Sequence, residues 1–105
     1  MARVRLSPAA LADFDSIIDH LVEVAGNRTA ADYAERIQAA LNRLVMFPGL
    51  GAPRPRFCRR TRMTSVPPYL IFYDGGPRSR VVEVLRIVHG RRNITPRLVA
   101  RGRRR

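Results

Sequence analysis

At 105 residues, 46% of them hydrophobic, the chain suits one domain with one modest core. No apolar run approaches the roughly 20 residues of a membrane span, the opening MARVRLSPAAL lacks a signal peptide's apolar stretch, and the single cysteine, Cys58, excludes an internal disulfide framework; the expectation is a cytoplasmic protein. Residues 1–53 carry five arginines and six acids, net −1, whereas residues 54–105 carry fifteen arginines and two acids, net +13, so the second half calls for an acidic partner: nucleic acid, an acidic protein, or both.

Alternation in Ala2–Leu6 predicts a short strand. Ser7-Pro8 then opens a helix, with Ser7 as cap and Pro8 at the first helical position, where its missing donor is harmless. Leu11, Phe14, Ile17, Ile18, Leu21 and Val22 follow helical spacing, while Asp13, Asp15, Asp19 and Glu23 are assigned mainly to a solvated side; Gly26 ends the helix. A second helix is expected from Thr29, which forms a variant capping box with Asp32, along the stripe Ala30, Tyr33, Ala34, Ile37, Leu41, Leu44, Val45 as far as Pro48. The short link makes the two helices an antiparallel hairpin.

Pro48–Arg56, PGLGAPRPR, reads as loop, and Arg60–Val66 as a strand with weak burial patterning. A β-hairpin follows: Tyr69–Tyr73, a turn at Asp74-Gly75-Gly76-Pro77, and the β-branched arm Val81–Val88. Residues 1–98 are taken as one domain and residues 99–105 as a basic tail, expected to be disordered in part. The order β-α-α-β-β-β predicts an α+β fold: a mainly antiparallel sheet with a helical hairpin on one face, and Arg62, Arg86 and their neighbours on the other.

Two histidines and one cysteine, far apart, make no zinc spacing, and GLGAP and DGGP lack phosphate-loop spacing, so neither metal nor cofactor is expected. His20 reads as a surface residue, Cys58 as a spectator, Asp74 as a turn residue, and Glu83 as a partner for an arginine. Arginines just before or on one strand (Arg54, Arg56, Arg59, Arg60, Arg62) and on or just past another (Arg86, Arg91, Arg92) could meet as one concave basic surface suited to phosphate or carboxylate. His89 is the one proton-transfer candidate beside it.

The segments VRLSPAALADFDSIIDHL, LVMFPGLG, YLIFY and VVEVLRIVHGRRN, in that order over residues 3 to about 98, resemble the ParE/RelE superfamily of bacterial type II toxins, and within it the ParE, or plasmid-stabilisation, branch. The resemblance implies a microbial-RNase-like α+β fold. It also implies a cognate ParD-like antitoxin whose acidic C-terminal segment wraps the toxin, giving a hetero-oligomer. The groove residues would be Leu11, Phe14, Ile18, Tyr33, Ile37, Tyr69 and Phe72. ParE-like members block DNA gyrase; RelE-like members cleave mRNA in the ribosomal A site with basic sheet residues and a C-terminal tyrosine. Here the strand position of a RelE arginine is Tyr69, the late tyrosine falls near Leu98, and Arg92 alone keeps a RelE basic position. Arginine stays protonated and shuttles protons poorly. The expectation is therefore a gyrase-blocking, non-enzymatic toxin that binds its target through Arg56, Arg60, Arg62, Arg86, His89, Arg91 and Arg92, with the tail from Arg97 as a further contact. The alternatives are an mRNA endonuclease using His89 and Arg92, and a non-toxic module that binds nucleic acid by charge.

Overall fold

The computed structural model describes residues 1–103. Its elements are β1 (Arg3–Leu6), α1 (Pro8–Ala25), α2 (Asn27–Met46), β2 (Ala52–Pro53), β3 (Thr61–Val66), β4 (Tyr69–Asp74), β5 (Val81–His89) and α3 (Pro96–Ala100). The sheet order is β1-β5-β4-β3-β2, with β1 parallel to β5 and every other pair antiparallel. The expected α+β architecture, an N-terminal strand and a helical hairpin on a mainly antiparallel sheet, is the one observed.

Ser7 opens α1 as expected: its Oγ accepts from Ala10 N at 3.0 Å and donates to the Leu85 carbonyl at 2.9 Å, so one buried hydroxyl caps a helix and ties it to β5. The start of α2 differs from expectation. The helix begins at Asn27 with Gly26, at φ +90°, as a cap that makes no side-chain hydrogen bond. Thr29 and Asp32 are thus already inside the first turns, because Gly26 can take the left-handed backbone that lets α1 pass directly into α2. Asp32 instead pairs with Arg36 along the helix at 3.3 Å.

Strand alternation sorts β4 onto two cores. Tyr69, Ile71 and Tyr73 join Val66, Val82, Val84 and Ile87 beneath Leu21, Ile37, Leu41 and Leu44 of the helices. Phe72 faces the other way and packs with Leu85, Val88 and Val99, flanked by Phe57, Met63, Ile94 and Leu98. The second face is therefore a small apolar core and not the open arginine face expected. Arg62, opposite Tyr73 in the register, lies on the helical side, where it donates to the Gly49 and Gly51 carbonyls at 2.9 and 2.8 Å. Tyr73 Oη accepts from Gly51 N at 2.8 Å, and a Cβ at Gly51 would sit 2.8 Å from both that ring and the Met63 carbonyl. The glycine is required by this close approach.

Residues 99–103, expected as part of a basic tail, are packed. Thr95 caps α3 through its side chain and Pro96 follows, which repeats the Ser7-Pro8 signature. Val99 is fully buried. Gly102 lies so close to β5 that a Cβ there would overlap the Leu85 carbonyl. Arg104 and Arg105 lie outside the described residues.

Asp13, assigned to the solvated side of α1, is instead turned onto the sheet. β1 ends at Leu6, so the edge of β5 beyond Val84 has no strand beside it. Asp13 covers that edge, accepting from Ile87 N at 3.0 Å and gripping Arg86 Nε and Nη2 at 2.7 and 2.8 Å. Arg86 Nη1 also donates to the Leu98 carbonyl at 3.1 Å, which ties in α3. The Asp13 hydrogen bonds raise the Arg86 pKa against the opposing effect of burial, so the guanidinium stays charged.

Asp13→Ala strands a charged guanidinium that is about nine-tenths buried, and the expected loss is roughly 3–5 kcal/mol, read by urea denaturation; a loss below about 1 kcal/mol would show that the pair holds nothing together. Gly102→Ala is expected to lower the unfolding midpoint through its overlap with β5.

Candidate functional site

β3 and β5 are both antiparallel to β4, so their N-terminal ends lie together at one end of the sheet and their C-terminal ends at the other. The expected basic residues are split by this rule. Arg60 and Arg62 belong to the end marked by the β4–β5 turn, whereas His89, Arg91 and Arg92 leave from the opposite end, a strand length of about 20 Å away. Arg86 is buried in its pair with Asp13 and presents no contact surface. Arg56 is exposed and stacks over the Phe57 ring, 5.0 Å from its centroid. The single concave surface expected from adjacent strands is not formed.

At the turn end, Arg59, Arg60, Arg62 and Arg78 line a concavity of about 600 Å³ with Ser79 and the Gly75-Gly76 turn. Arg78 and Arg80, just before β5, converge here because β3 and β5 start together, and Arg3 and Arg5 join them because β1 runs parallel to β5. Asp74 closes β4 here. It accepts from Arg103 at 2.8 and 3.0 Å and from Thr61 Oγ1 at 2.7 Å. Burial alone would raise its pKa, but the Arg103 and Thr61 hydrogen bonds and the charges of Arg103 and Arg60 outweigh burial and hold it below the ordinary value. Glu83 pairs with Arg5 at 3.3 Å, as an arginine-bridging role required.

At the opposite end, the exposed His89 accepts at Nδ1 from Arg91 N at 3.0 Å, which puts a neutral ring's proton on Nε2. The Tyr69 ring meets His89 edge-on at 5.7 Å and Tyr33 edge-on at the same distance. Arg36 lies 5.3 Å from the Tyr33 centroid. Burial, and to a lesser degree Tyr33, raises the Tyr69 pKa, so the phenol remains protonated.

The seven residues assigned to an antitoxin groove are not brought together. Ile37 and Tyr69 are buried under the helices and Phe72 is buried on the other face, because each fills a core. Leu11 is half exposed, and Phe14, Ile18 and Tyr33 are partly buried at the core's margin. At helical spacing on α1, the exposed Leu11 and Val22 flank the partly buried Phe14 and Ile18, which pack against the core. A second exposed group, Met46, Phe47 and Leu50, surrounds Pro48 and Gly49.

Among known proteins, the family model described as "ParE toxin of type II toxin-antitoxin system, parDE" matches residues 4–94. The chain belongs to the ParE toxin family of type II toxin–antitoxin systems. A curated ParE relative, Toxin ParE1 of Caulobacter vibrioides (strain ATCC 19089 / CIP 103742 / CB 15), is 34% identical over 89 residues, 85% of this chain and 90% of its own length. The ParE-like fold recurs in a solved structure titled "Chromosomal ParDE TA system from P. aeruginosa", with a TM-score of 0.69 at 24% identity over 85% of this chain and 96% of that one. The matched span includes the expected contact residues from Leu11 to Arg92 and stops short of the tail from Arg97. Among the described residues, no helix is long and apolar enough to cross a membrane.

The Asp74 carboxyl is depressed in the folded state, so its stabilising effect is full above the ordinary value of 3.8 and is lost as pH falls through the lower folded value. Asp74→Asn is expected to flatten the acid limb of the stability–pH curve in urea titrations; an unchanged limb would remove the Asp74–Arg103 pair from that role.

Proposed function

We propose that this chain is a growth-inhibiting toxin that blocks DNA gyrase and is neutralised by a ParD-like antitoxin. The observation that carries the reading is the ParE family match across residues 4–94. Two features of the site favour blocking over cutting. RNA cleavage needs a base, an acid and phosphate stabilisation at one point; at the His89 end Arg91 and Arg92 could stabilise phosphate, but His89 is one proton-transfer group where two are needed, and the arginine-lined concavity at the other end of the sheet holds no histidine. Tyr69, at the strand position where RelE-like nucleases carry an arginine, is buried among aromatic rings.

The antitoxin's C-terminal segment lies along α1, where the exposed Leu11 and Val22 and the open edges of the partly buried Phe14 and Ile18 offer apolar anchors. Its acidic side chains answer the arginines of the second half. The toxin acts in the cytoplasm, where gyrase is found, and forms a hetero-oligomer with the antitoxin when neutralised.

Purified toxin is expected to inhibit gyrase supercoiling and to accumulate cleaved DNA, with mRNA left intact in cells expressing it. No effect on gyrase at stoichiometric excess, together with A-site cleavage that disappears in Arg92→Ala, would replace this reading with the nuclease. Leu11→Asp is expected to weaken antitoxin binding by at least about tenfold, in line with loss of one apolar anchor, while leaving the thermal midpoint unchanged.

A further inference from the structure

The turn end of the sheet holds more positive charge than the fold uses. Three concavities adjoin there and share their arginines. Arg78 lines the first, of about 600 Å³, and also a second of about 540 Å³ that includes Arg3 and Arg80. Arg80 lines the second and also a third of about 450 Å³ that includes Arg5, and Arg60 lines the third and the first. The acids in these linings are Asp74 and Glu83, and each is already engaged by an arginine. Among the described residues, Arg3, Arg59, Arg78 and Arg80 are exposed and have no side-chain partner, and Arg60 has one long hydrogen bond, to Ser79 Oγ at 3.5 Å. Like charges gathered so closely repel one another, and a polyanion relieves that repulsion.

We infer that this arginine-rich end of the sheet docks directly on the phosphodiester backbone of a nucleic-acid duplex. Guanidinium forks match phosphate oxygens. The band from β1 to β3 crosses three strand spacings, about 14 Å, which is the axial rise of about four base pairs. Single strands are held by aromatic platforms as well as charge, and no aromatic residue lines any of the three concavities. An acidic protein segment would also need apolar anchors; the first and third concavities hold no exposed large apolar side chain, Met1 and Met46 line the second, and Leu11, Val22, Phe47 and Leu50 lie outside all three. The site stands apart from the choice of gyrase as target, since it concerns what the chain binds by itself.

Fluorescence anisotropy with purified toxin tests this on random-sequence DNA duplex, RNA duplex and single-stranded DNA between roughly 50 and 200 mM salt. R78S/R80S is compared with R91S/R92S, which removes equal charge from the opposite end. The expected result is duplex binding whose logarithmic salt slope falls by about two in R78S/R80S, with affinity down more than about tenfold, and by little in R91S/R92S. Circular dichroism establishes that both variants are folded. Preference for either duplex supports the site and names its source. Equal losses in the two variants, equal affinity for single strand, no binding at the lowest salt, or a poly-glutamate peptide bound as tightly as duplex with the same R78S/R80S loss would each overturn it.

Discussion

The contact between Asp13 and the exposed edge of β5 organises the molecule. A four-residue β1 beside a nine-residue β5 leaves the outer edge of half the longer strand without a strand beside it, and unpaired backbone donors at a covered edge are costly. Ser7 supplies a donor to Leu85 and Asp13 an acceptor to Ile87. Because both sit at the start of α1, satisfying the edge also fixes where that helix crosses the sheet. Arg86 extends the same contact to the carbonyl of Leu98, so one carboxylate joins a helix, a strand and the C-terminal turn.

With the edge closed, the sheet is covered on both sides. The helical hairpin occupies one face, and α3 with Phe57, Ile94 and Leu98 occupies the other. The ends of the strands and the outer surface of α1 are left open to solvent. The two ends are chemically unlike. One carries crowded arginines around the Gly75-Gly76 turn; the other carries a backbone-anchored imidazole over an aromatic row.

The family motifs acquire physical roles in this frame. In FPGLG, Pro48 and Gly51 are buried while Phe47 and Leu50 are exposed. Tyr73 and Arg62 hold the loop by its backbone. In YLIFY, alternate residues serve opposite cores. In LRIVHGRRN, Arg86 is structural and only the residues from His89 onward reach solvent. Sequence similarity through Arg86 is therefore similarity of fold, because that side chain serves a buried pair.

The sequence by itself determined the element types, the helical hairpin, the β4–β5 hairpin, the charge division and the toxin family, since these follow from local periodicity, turn chemistry and composition. Two further features were present in it and went unread: Thr95-Pro96 repeats the Ser7-Pro8 helix start, and antiparallel pairing on β4 assigns each arginine to an end of the sheet. Other features were decided only in three dimensions. Asp13 looks like any solvated helical acid until β1 proves too short for β5. Gly26, and not Thr29, caps α2 because the interhelical path needs its positive φ. Arg62 and Arg86 look like free charges until their hydrogen-bond partners, up to 73 residues away for Arg86, are folded beside them. Side-chain identity specifies what a group can bond to, and only the tertiary structure decides whether that partner is solvent, another molecule or the protein itself.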